Sequence, residues 1–306
     1  MDSINYKPRL IKIIIAMGTG VMGDGDPTKS TTYTLTDHRV TAEIDAYGGA
    51  TQGAAYVKIF GLQQSMMNAL TSIGPVQVQV MGKNSIQILA GDDAKTLSTI
   101  YYGTIIQAYA DYNNAPDVSL DITATSAVIA AMGVATAYHN AGKTKVSEIM
   151  NWMAQQLKWE FVNADIGVNG GQEEYITDPS FNGSYWDQIQ ACAKAANQVV
   201  AVQGTENTTS VLKIKHTYSS FVDPAIVVSP KINMIGYPIY SSKGITVKTL
   251  FLPEVNLGSP IIIRDSIVTP ANGKWIVNNV KHELESMMPN GKWQTTCGVF
   301  PNGLTT

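Results

Sequence analysis

The sequence is poor in charge, and this shortage narrows the classes of protein it can belong to. Charged residues make up 15% of the 306 residues, and the formal net charge is −3. A protein that grips nucleic acid through phosphate contacts needs clustered Lys and Arg. No run of like charge is present, so the sequence predicts neither a basic arm nor an acidic tail. The composition therefore argues against a nucleic-acid-binding protein.

Cysteine is equally scarce. Cys192 and Cys297 are too few and too far apart for a disulfide framework or a zinc site. We expect two buried thiols in a protein made in a reducing cytoplasm. No apolar stretch has the length of a transmembrane helix. The first apolar segment is short, is interrupted by Lys12 and is followed by Gly18, which predicts a strand rather than a signal peptide.

A glycine motif at residues 18–23 matches the G-x-G-x-x-G spacing of a dinucleotide-binding loop. That site needs a helix directly after the glycines, because the helix N-terminus holds the pyrophosphate. Residues 24–27 are Asp-Gly-Asp-Pro, which favours a loop. The same segment lacks the later ligands and the terminal Glu of a calcium loop. We therefore predict no cofactor here.

A second motif begins at His282 and Glu283, as in the zinc-protease pattern H-E-x-x-H. Ser286 occupies the place of the second histidine, and the segment alternates like a strand. No G-x-S-x-G elbow is present, and no carboxylate pair stands out as the acid and partner of a cell-wall hydrolase. Glu173 and Glu174 are interpreted as exposed loop charges. We predict no catalytic residue, no cofactor-binding residue and no metal ligand, and we assign the five tryptophans to packing.

Residues 1–126 carry mostly strand patterns. Strands are predicted at 10–16, 33–35, 40–44, 55–60, 76–80, 85–90, 99–111 and 118–123. One short helix is predicted from Gln63 to Ser72, where Met66, Met67 and Leu70 are spaced for one face. These strands predict an antiparallel β domain.

Residues 127–222 have a different character. Helices are predicted at 127–137 and 146–157, with Thr144 as a possible N-cap, and another begins at Ser184 with a capping pattern that ends at Asp187. Short strands are predicted at 160–162, 199–203 and 211–216, the last two joined by a turn at 204–208. This predicts a small α/β domain.

Residues 223–306 return to strand patterns, at 245–250, 261–264, 275–285 and 292–300, before a frayed tail at 302–306. Their alternation predicts one wet and one dry face for each strand. Asn290 and Gly291 lie between the last two strands, where such a pair can supply the positive φ angles of a tight hairpin. The segment predicts a second antiparallel β domain.

The order of several segments resembles the baseplate hub proteins of contractile-tailed bacteriophages, which have relatives in the type VI secretion spike. The C-terminal resemblance runs through residues 242–250, 273–286 and 291–295, and the N-terminal one through residues 7–10 and 55–62. The similarity covers most of the chain and rests on pattern and order, since no short motif in it is diagnostic alone.

The resemblance implies a mainly β (α+β) fold. Two tube-like antiparallel β-barrel or sandwich domains, 1–126 and 223–306, would flank a small α/β domain, 127–222. It also implies a homotrimer that joins the sixfold tail tube to the threefold central spike and contacts baseplate wedge proteins. The trimer would line a channel through which the tape measure protein and DNA pass without specific binding, with no membrane insertion.

Two other functional classes stay open from the residues alone. The resemblance implies a structural subunit of the virion that is assembled in the host cytoplasm. The first alternative is a tail-associated cell-wall hydrolase. The second is a receptor- or glycan-binding module.

Overall fold

The computed structural model describes residues 8–18, 31–47, 52–71, 84–132, 135–163, 173–205, 209–216, 225–241 and 244–301. These residues form mostly antiparallel strands with a few α-helices. The mainly β, α+β class predicted from the sequence is confirmed. Four predicted features lie outside the described residues: the glycine motif at 18–23 (except Gly18), the loop at 24–27, the strand at 76–80 and the tail at 302–306.

The chain divides into two compact units. The first unit comprises Met1–Ile44, Ala54–Thr125 and His282–Trp293, and the second comprises Asp45–Gly53, Ser126–Lys281 and Gln294–Thr306. The predicted division into three domains, with borders after residues 126 and 222, stays a prediction.

The first unit is built on a sheet of mostly antiparallel strands. They are β1 (Leu10–Met17), β2 (Thr31–Leu35), β3 (Val40–Tyr47, its end in the second unit), β4 (Ala54–Phe60), β5 (Ser85–Gly91), β6 (Ser98–Asp111) and β7 (Ser119–Thr125). Their spatial order is β3-β4-β7-β6-β5-β1-β2. Ile11, Ile13 and Ile15 of β1 are buried, and the residues between them are only half-buried. This alternation puts one face of the sheet in the core.

The single helix of the first unit's described residues, α1 (Gln64–Leu70), confirms the helix predicted at 63–72. Met67 and Leu70 are its buried residues, as their spacing predicted.

The α/β part of the second unit lies between residues 126 and 216. Its helices are α2 (Val128–Ala131), α3 (Val146–Gln156) and α4 (Tyr185–Ala195), and its strands are β8 (Tyr138–His139), β9 (Lys143–Lys145), β10 (Glu160–Asn163), β11 (Tyr175–Thr177), β12 (Ser180–Phe181), β13 (Gln198–Gly204) and β14 (Ser210–His216). β14 pairs in parallel with β10 and antiparallel with β13, which confirms the predicted hairpin. Ile149 and Met153 of α3 pack with Ile189 and Cys192 of α4 in the core.

The two longer helices of this part begin differently. Ser184 forms the predicted capping box of α4: its Oγ accepts the Asp187 amide N–H at 3.1 Å, and its own amide donates to Asp187 Oδ2 at 3.0 Å. The prediction of Thr144 as the cap of α3 is wrong. Lys145 occupies the N-cap without a side-chain bond, and Glu173 Oε1 accepts the Ser147 amide N–H at 3.1 Å.

The β part of the second unit follows. Its strands are β15 (Ile226–Val228), β16 (Ile239–Ser241), β17 (Gly244–Leu250), β18 (Pro260–Ile263), β19 (Gly273–Ser286) and β20 (Trp293–Pro301), and a 3-10 turn spans Thr269–Ala271. The order is β16-β17-β20-β19-β18-β15. Val247, Val277 and Cys297 lie in its core. Because β2 and β16 end their orders among the described residues, the sheets there are open rather than closed barrels.

The turn of the last hairpin differs in one detail from the prediction. Asn290 has a φ of +56°, as an Asn-Gly turn requires, and Met287 has a φ of +54°. Gly291 lies outside the left-handed region. A Cβ there would come within 2.9 Å of Glu285 Cβ and 3.1 Å of the Glu285 carbonyl oxygen. Gly291 is therefore required by a close approach rather than by its backbone angles.

Both thiols are free and buried, as predicted. Burial raises the pKa of Cys192 and of Cys297 to about 12. At neutral pH both therefore stay in the thiol form, which is a poor nucleophile.

Candidate assembly surfaces

The first candidate surface is the edge of the first unit's sheet, strand β2. Its residues pair with β1 from Ile13 opposite Leu35 to Met17 opposite Thr31. No described residue pairs with its other side. Thr31, Thr32 and Thr34 are exposed, and the strand carries no charge. Natural edge strands are usually blunted by charge, proline or a bulge, so β2 lacks the common protection against pairing.

The second candidate surface is the edge of the second unit, strand β16. Ile239 pairs with Thr246 of β17, and Tyr240 pairs with Ile245. Ile239 is 69% exposed and Tyr240 is 50% exposed. Successive residues of a strand point to opposite faces. Apolar side chains are therefore open to solvent on both faces of this strand.

The segment before β16 continues the same edge along β17. The Ile235 amide donates to the Lys248 carbonyl at 2.8 Å, and the Leu250 amide donates to the Asn233 carbonyl at 2.7 Å. Ile232, Ile235, Tyr237 and Leu250 are exposed here. We call the side chains of Ile232, Ile235, Tyr237, Ile239, Tyr240 and Leu250 the apolar edge. Exposed apolar groups concentrated along one strand edge make that edge a candidate interaction surface.

Asn233 holds the segment in place. Its Nδ2 donates to the Val227 carbonyl at 3.1 Å, and its Oδ1 accepts the Ser229 amide at 3.2 Å. The Ser229 hydroxyl donates in turn to Asp265 at 3.2 Å. The backbone of the apolar edge is therefore fixed by part-buried hydrogen bonds while its side chains stay exposed.

Two clefts flank His38 in the first unit. One, of about 250 Å³, is lined among others by Arg9, Lys12 and Met287; the other, of about 520 Å³, is lined among others by Arg39 and Asp117. Arg39 lies 3.0 Å from Asp117, and its guanidinium carbon is 3.8 Å from the centre of the Phe60 ring. The cation is thus already engaged within the protein, and the open clefts carry charges of both signs.

The carboxylates interpreted as loop charges have structural roles. Glu173 accepts from the first turn of α3, and Glu174 lies 3.5 Å from His216 Nε2. Both residues lie in a loop, as predicted, and are partly exposed; the Glu174 side chain is 43% exposed. Their partners could not be predicted from the sequence, because they lie on other elements.

His282 lies within β19, so the predicted strand is confirmed for the H-E-x-x-S segment. The side chain is buried, and burial lowers its pKa to about 4.

In the described part of the chain, no three His, Cys, Asp or Glu side chains are grouped as metal ligands. No helix within that part has the length and hydropathy to cross a membrane.

That the chain has no catalytic, cofactor-binding or metal-binding residue stays a prediction. The surfaces that stand out instead are β2 and the apolar edge, and sequence reasoning missed both as surfaces. The apolar residues at 232, 235, 237, 239 and 240 are a visible signal in the sequence. Alternation and spacing do not tell which of them a neighbouring strand covers, so their exposure could not be predicted.

Solved structures share this fold at low sequence identity. The tail protein from Neisseria meningitidis MC58 aligns over 97% of this chain and 98% of its own, with 10% identity and a TM-score of 0.60. The c3393 protein of E. coli, a type VI secretion component with structural similarity to T4 bacteriophage tail proteins gp27 and gp5, aligns over 88% of this chain and 75% of its own, with 8% identity and a TM-score of 0.57.

A chain of the Francisella PdpA–VgrG complex aligns over 97% of this chain, with 8% identity and a TM-score of 0.59, and this alignment covers 59% of the Francisella chain. Identities this low show a common fold alone. No curated protein sequence matches the chain. The model of the baseplate hub gp41 family, in contrast, matches residues 11–297. Since that match spans nearly the whole sequence, the chain belongs to the baseplate hub gp41 family.

Proposed function

We propose that the chain is a structural subunit of a phage tail baseplate hub, and that three copies close into a ring between the tail tube and the central spike. The observation that carries the proposal is the family match over residues 11–297. Each copy brings two β domains, so three copies present six. That number continues a sixfold tube above while the ring itself keeps the threefold symmetry of the spike below.

The proposed partners follow from this position. The tail tube protein contacts one face of the ring and the spike protein the other, and wedge proteins contact its outside. The tape measure protein and DNA pass through the central channel. A net charge of −3 without basic clusters supports a conduit that does not hold DNA. The ring is part of the virion and is assembled in the host cytoplasm, where free thiols such as Cys192 and Cys297 stay reduced.

Three domains serve this role in the proposal: residues 1–126 and 223–306 are tube-like, and 127–222 form a peripheral α/β domain. Two separate apolar cores in the second unit support the last border, one around Ile149 and Leu212 and one around Val247 and Val277.

The proposal assigns the chain a structural role and no catalysis, in keeping with its family. The hydrolase alternative has its own test, a zymogram of the full chain on bacterial peptidoglycan. We expect no clearing. Clearing that a single Glu or Asp substitution abolishes would replace the structural role with an enzymatic one.

The decisive experiment is a density map of assembled tails or of a co-expressed hub–spike complex. We expect three copies of this chain around the axis, with a central channel and the helices α3 and α4 at the periphery. A single copy, a hexamer or a fibre away from the axis would contradict the hub assignment.

A further inference from the structure

We propose that neighbouring copies join through their sheet edges. Strand β2 of one copy pairs with the apolar edge of the next copy, at strand β16. This inference rests on the proposed ring of three copies and names the contact that closes it. The two edges belong to different units of the chain. The contact is therefore heterologous, and it either closes into a ring or propagates as a filament.

Neither edge strand, β2 or β16, carries a charge or a proline, the features that commonly block strand pairing. Both edges present a strand that has no second neighbour among the described residues. Thr and Tyr side chains such as Thr32, Tyr33 and Thr34 favour strands and form good cross-strand pairs with β-branched and aromatic residues. Ile239 and Tyr240 offer such partners on both faces.

Strands β15 and β16 are the two outermost strands in the β part of the second unit, and they differ in exposure. Ile226 and Val227 of β15 are half-buried, and Val228 is buried. Ile239 and Tyr240 are exposed by half or more. Covering β16 therefore removes more apolar surface from water than covering β15, and burial of apolar surface is the main driving force of association.

The apolar edge is also ready to bind. The Asn233 side chain and two backbone hydrogen bonds, from Ile235 to Lys248 and from Leu250 to Asn233, already hold its backbone. A surface that is ordered before binding loses less conformational freedom when the complex forms. An exposed and fixed edge of this kind suits a permanent contact with a second copy.

Engineered disulfides test the pairing directly. Each double variant combines Thr32→Cys or Thr34→Cys with Ile239→Cys or Tyr240→Cys. The four combinations test two registers of the strand pairing and both faces of β16. A disulfide requires Cα atoms within about 7 Å. Cys192 and Cys297 are buried, so they contribute little background. In assembled tails under mild oxidation, we expect at least one combination to yield a covalent trimer on a non-reducing gel.

The single-cysteine variants are the matched controls, and we expect them to stay monomeric on the gel. Cross-linking of Thr32→Cys alone would show that like edges meet, which overturns the inference. A ladder beyond three copies would show an open filament and would also overturn it, as would the absence of cross-links in all four combinations.

A charge substitution gives an independent readout. We expect Ile239→Lys to lower trimer formation at least tenfold, because the lysine would have to be buried in the contact. Ile267→Lys is the matched control: Ile267 is 72% exposed in the same unit and is not one of the residues of the apolar edge. Thr32→Glu should partly restore assembly of Ile239→Lys. Equal assembly of the two lysine variants would contradict the inference, and thermal unfolding checks that both fold.

The wild-type copy number separates this inference from the proposed function. If wild-type tails contain three copies in a ring and no disulfide forms, only the edge pairing fails. If they contain a single copy or a hexamer, the hub proposal itself fails.

Discussion

The α/β part and the β part of the second unit differ in how much apolar surface they leave in solvent. In the α/β part, helices cover the core, and Ile149, Met150 and Met153 are fully buried. In the β part, the strands bury one face, but the apolar edge stays in solvent. The exposed large apolar side chains described in the α/β part are each less than half exposed, whereas Ile239 is 69% exposed. The more exposed edge gains more from a neighbour. This contrast supports the assignment of the subunit contact to the β part.

The two parts also differ in what fixes their backbone. Helix α4 depends on a side-chain cap, the box between Ser184 and Asp187. The strands of the β part depend on close backbone approaches that only glycine allows, as at Gly244. Substitutions should therefore act through sterics in the strands and through lost hydrogen bonds in the helices.

The largest effect is expected at Gly244. It has a φ of +120°, and an added Cβ would lie 2.2 Å from the Val299 carbonyl oxygen. Gly244→Ala should lower the free energy of unfolding by roughly 3 kcal/mol, because a left-handed strain and a backbone clash add. Gly236→Ala is the control, since Gly236 has a φ of +70° but nothing within 4 Å of the added Cβ. Urea titrations that show equal losses for both variants would disprove the steric account.

A pH effect of similar size is expected from His282 in β19. Burial lowers its folded-state pKa from 6.5 to about 4. The unfolded chain therefore takes up the proton first as the pH falls, so stability drops between pH 6.5 and 4 and the effect levels off below pH 4. The loss should reach roughly 3 kcal/mol.

Urea titrations at pH 7 and at pH 4 measure this loss. In a His282→Gln variant the pH dependence of the free energy of unfolding should be flatter by that amount. An unchanged slope in His282→Gln would show that His282 does not titrate as inferred.

An intermediate effect is expected for Gly291→Val in the last hairpin. The new side chain meets Glu285 at 2.9 Å, so overpacking should lower the free energy of unfolding by roughly 2 kcal/mol. Asn290→Gly should be tolerated, because Asn290 already has a positive φ that glycine adopts freely. Calorimetric melting of both variants compares them, and a stable Gly291→Val would mean that Glu285 moves aside.

The smallest effect is expected in the α/β part. Ser184→Ala removes the cap of α4 and should lower the free energy of unfolding by about 1 kcal/mol. Lys145→Ala, at the equivalent position of α3, should change little because Lys145 makes no side-chain cap. Chemical denaturation of the two variants sharpens the contrast between the helices, and equal losses would show that the capping box contributes nothing.

Local patterns in the sequence predicted most of the elements. Alternation predicted β1, β17 and β19, and helical spacing predicted α3 with Ile149 and Met153 in the core. Such patterns are visible because each strand or helix must turn its own apolar residues to one side. The capping box at Ser184 was readable for the same reason, since both partners lie within one turn.

Features that join residues distant in sequence were missed or wrongly assigned. Lys145, not Thr144, is the N-cap residue of α3, and Glu173 accepts an amide of its first turn. Gly291 is needed for its approach to Glu285 rather than for its φ. The assignment of residues 282–293 to the first unit was equally invisible in the sequence. Each depends on which segments meet, and periodicity carries no information about that.

By itself the sequence determined the fold class, the strand and helix patterns, the buried thiols and the resemblance to a hub family, because each of these depends on local pattern or on the order of segments. Only the tertiary structure decided which strands end their sheets and which apolar side chains stay uncovered. An isoleucine such as Ile239 has the same strand propensity in a core and on an edge. Its exposure is decided by whether another strand lies beside it, and no neighbour in the sequence records that.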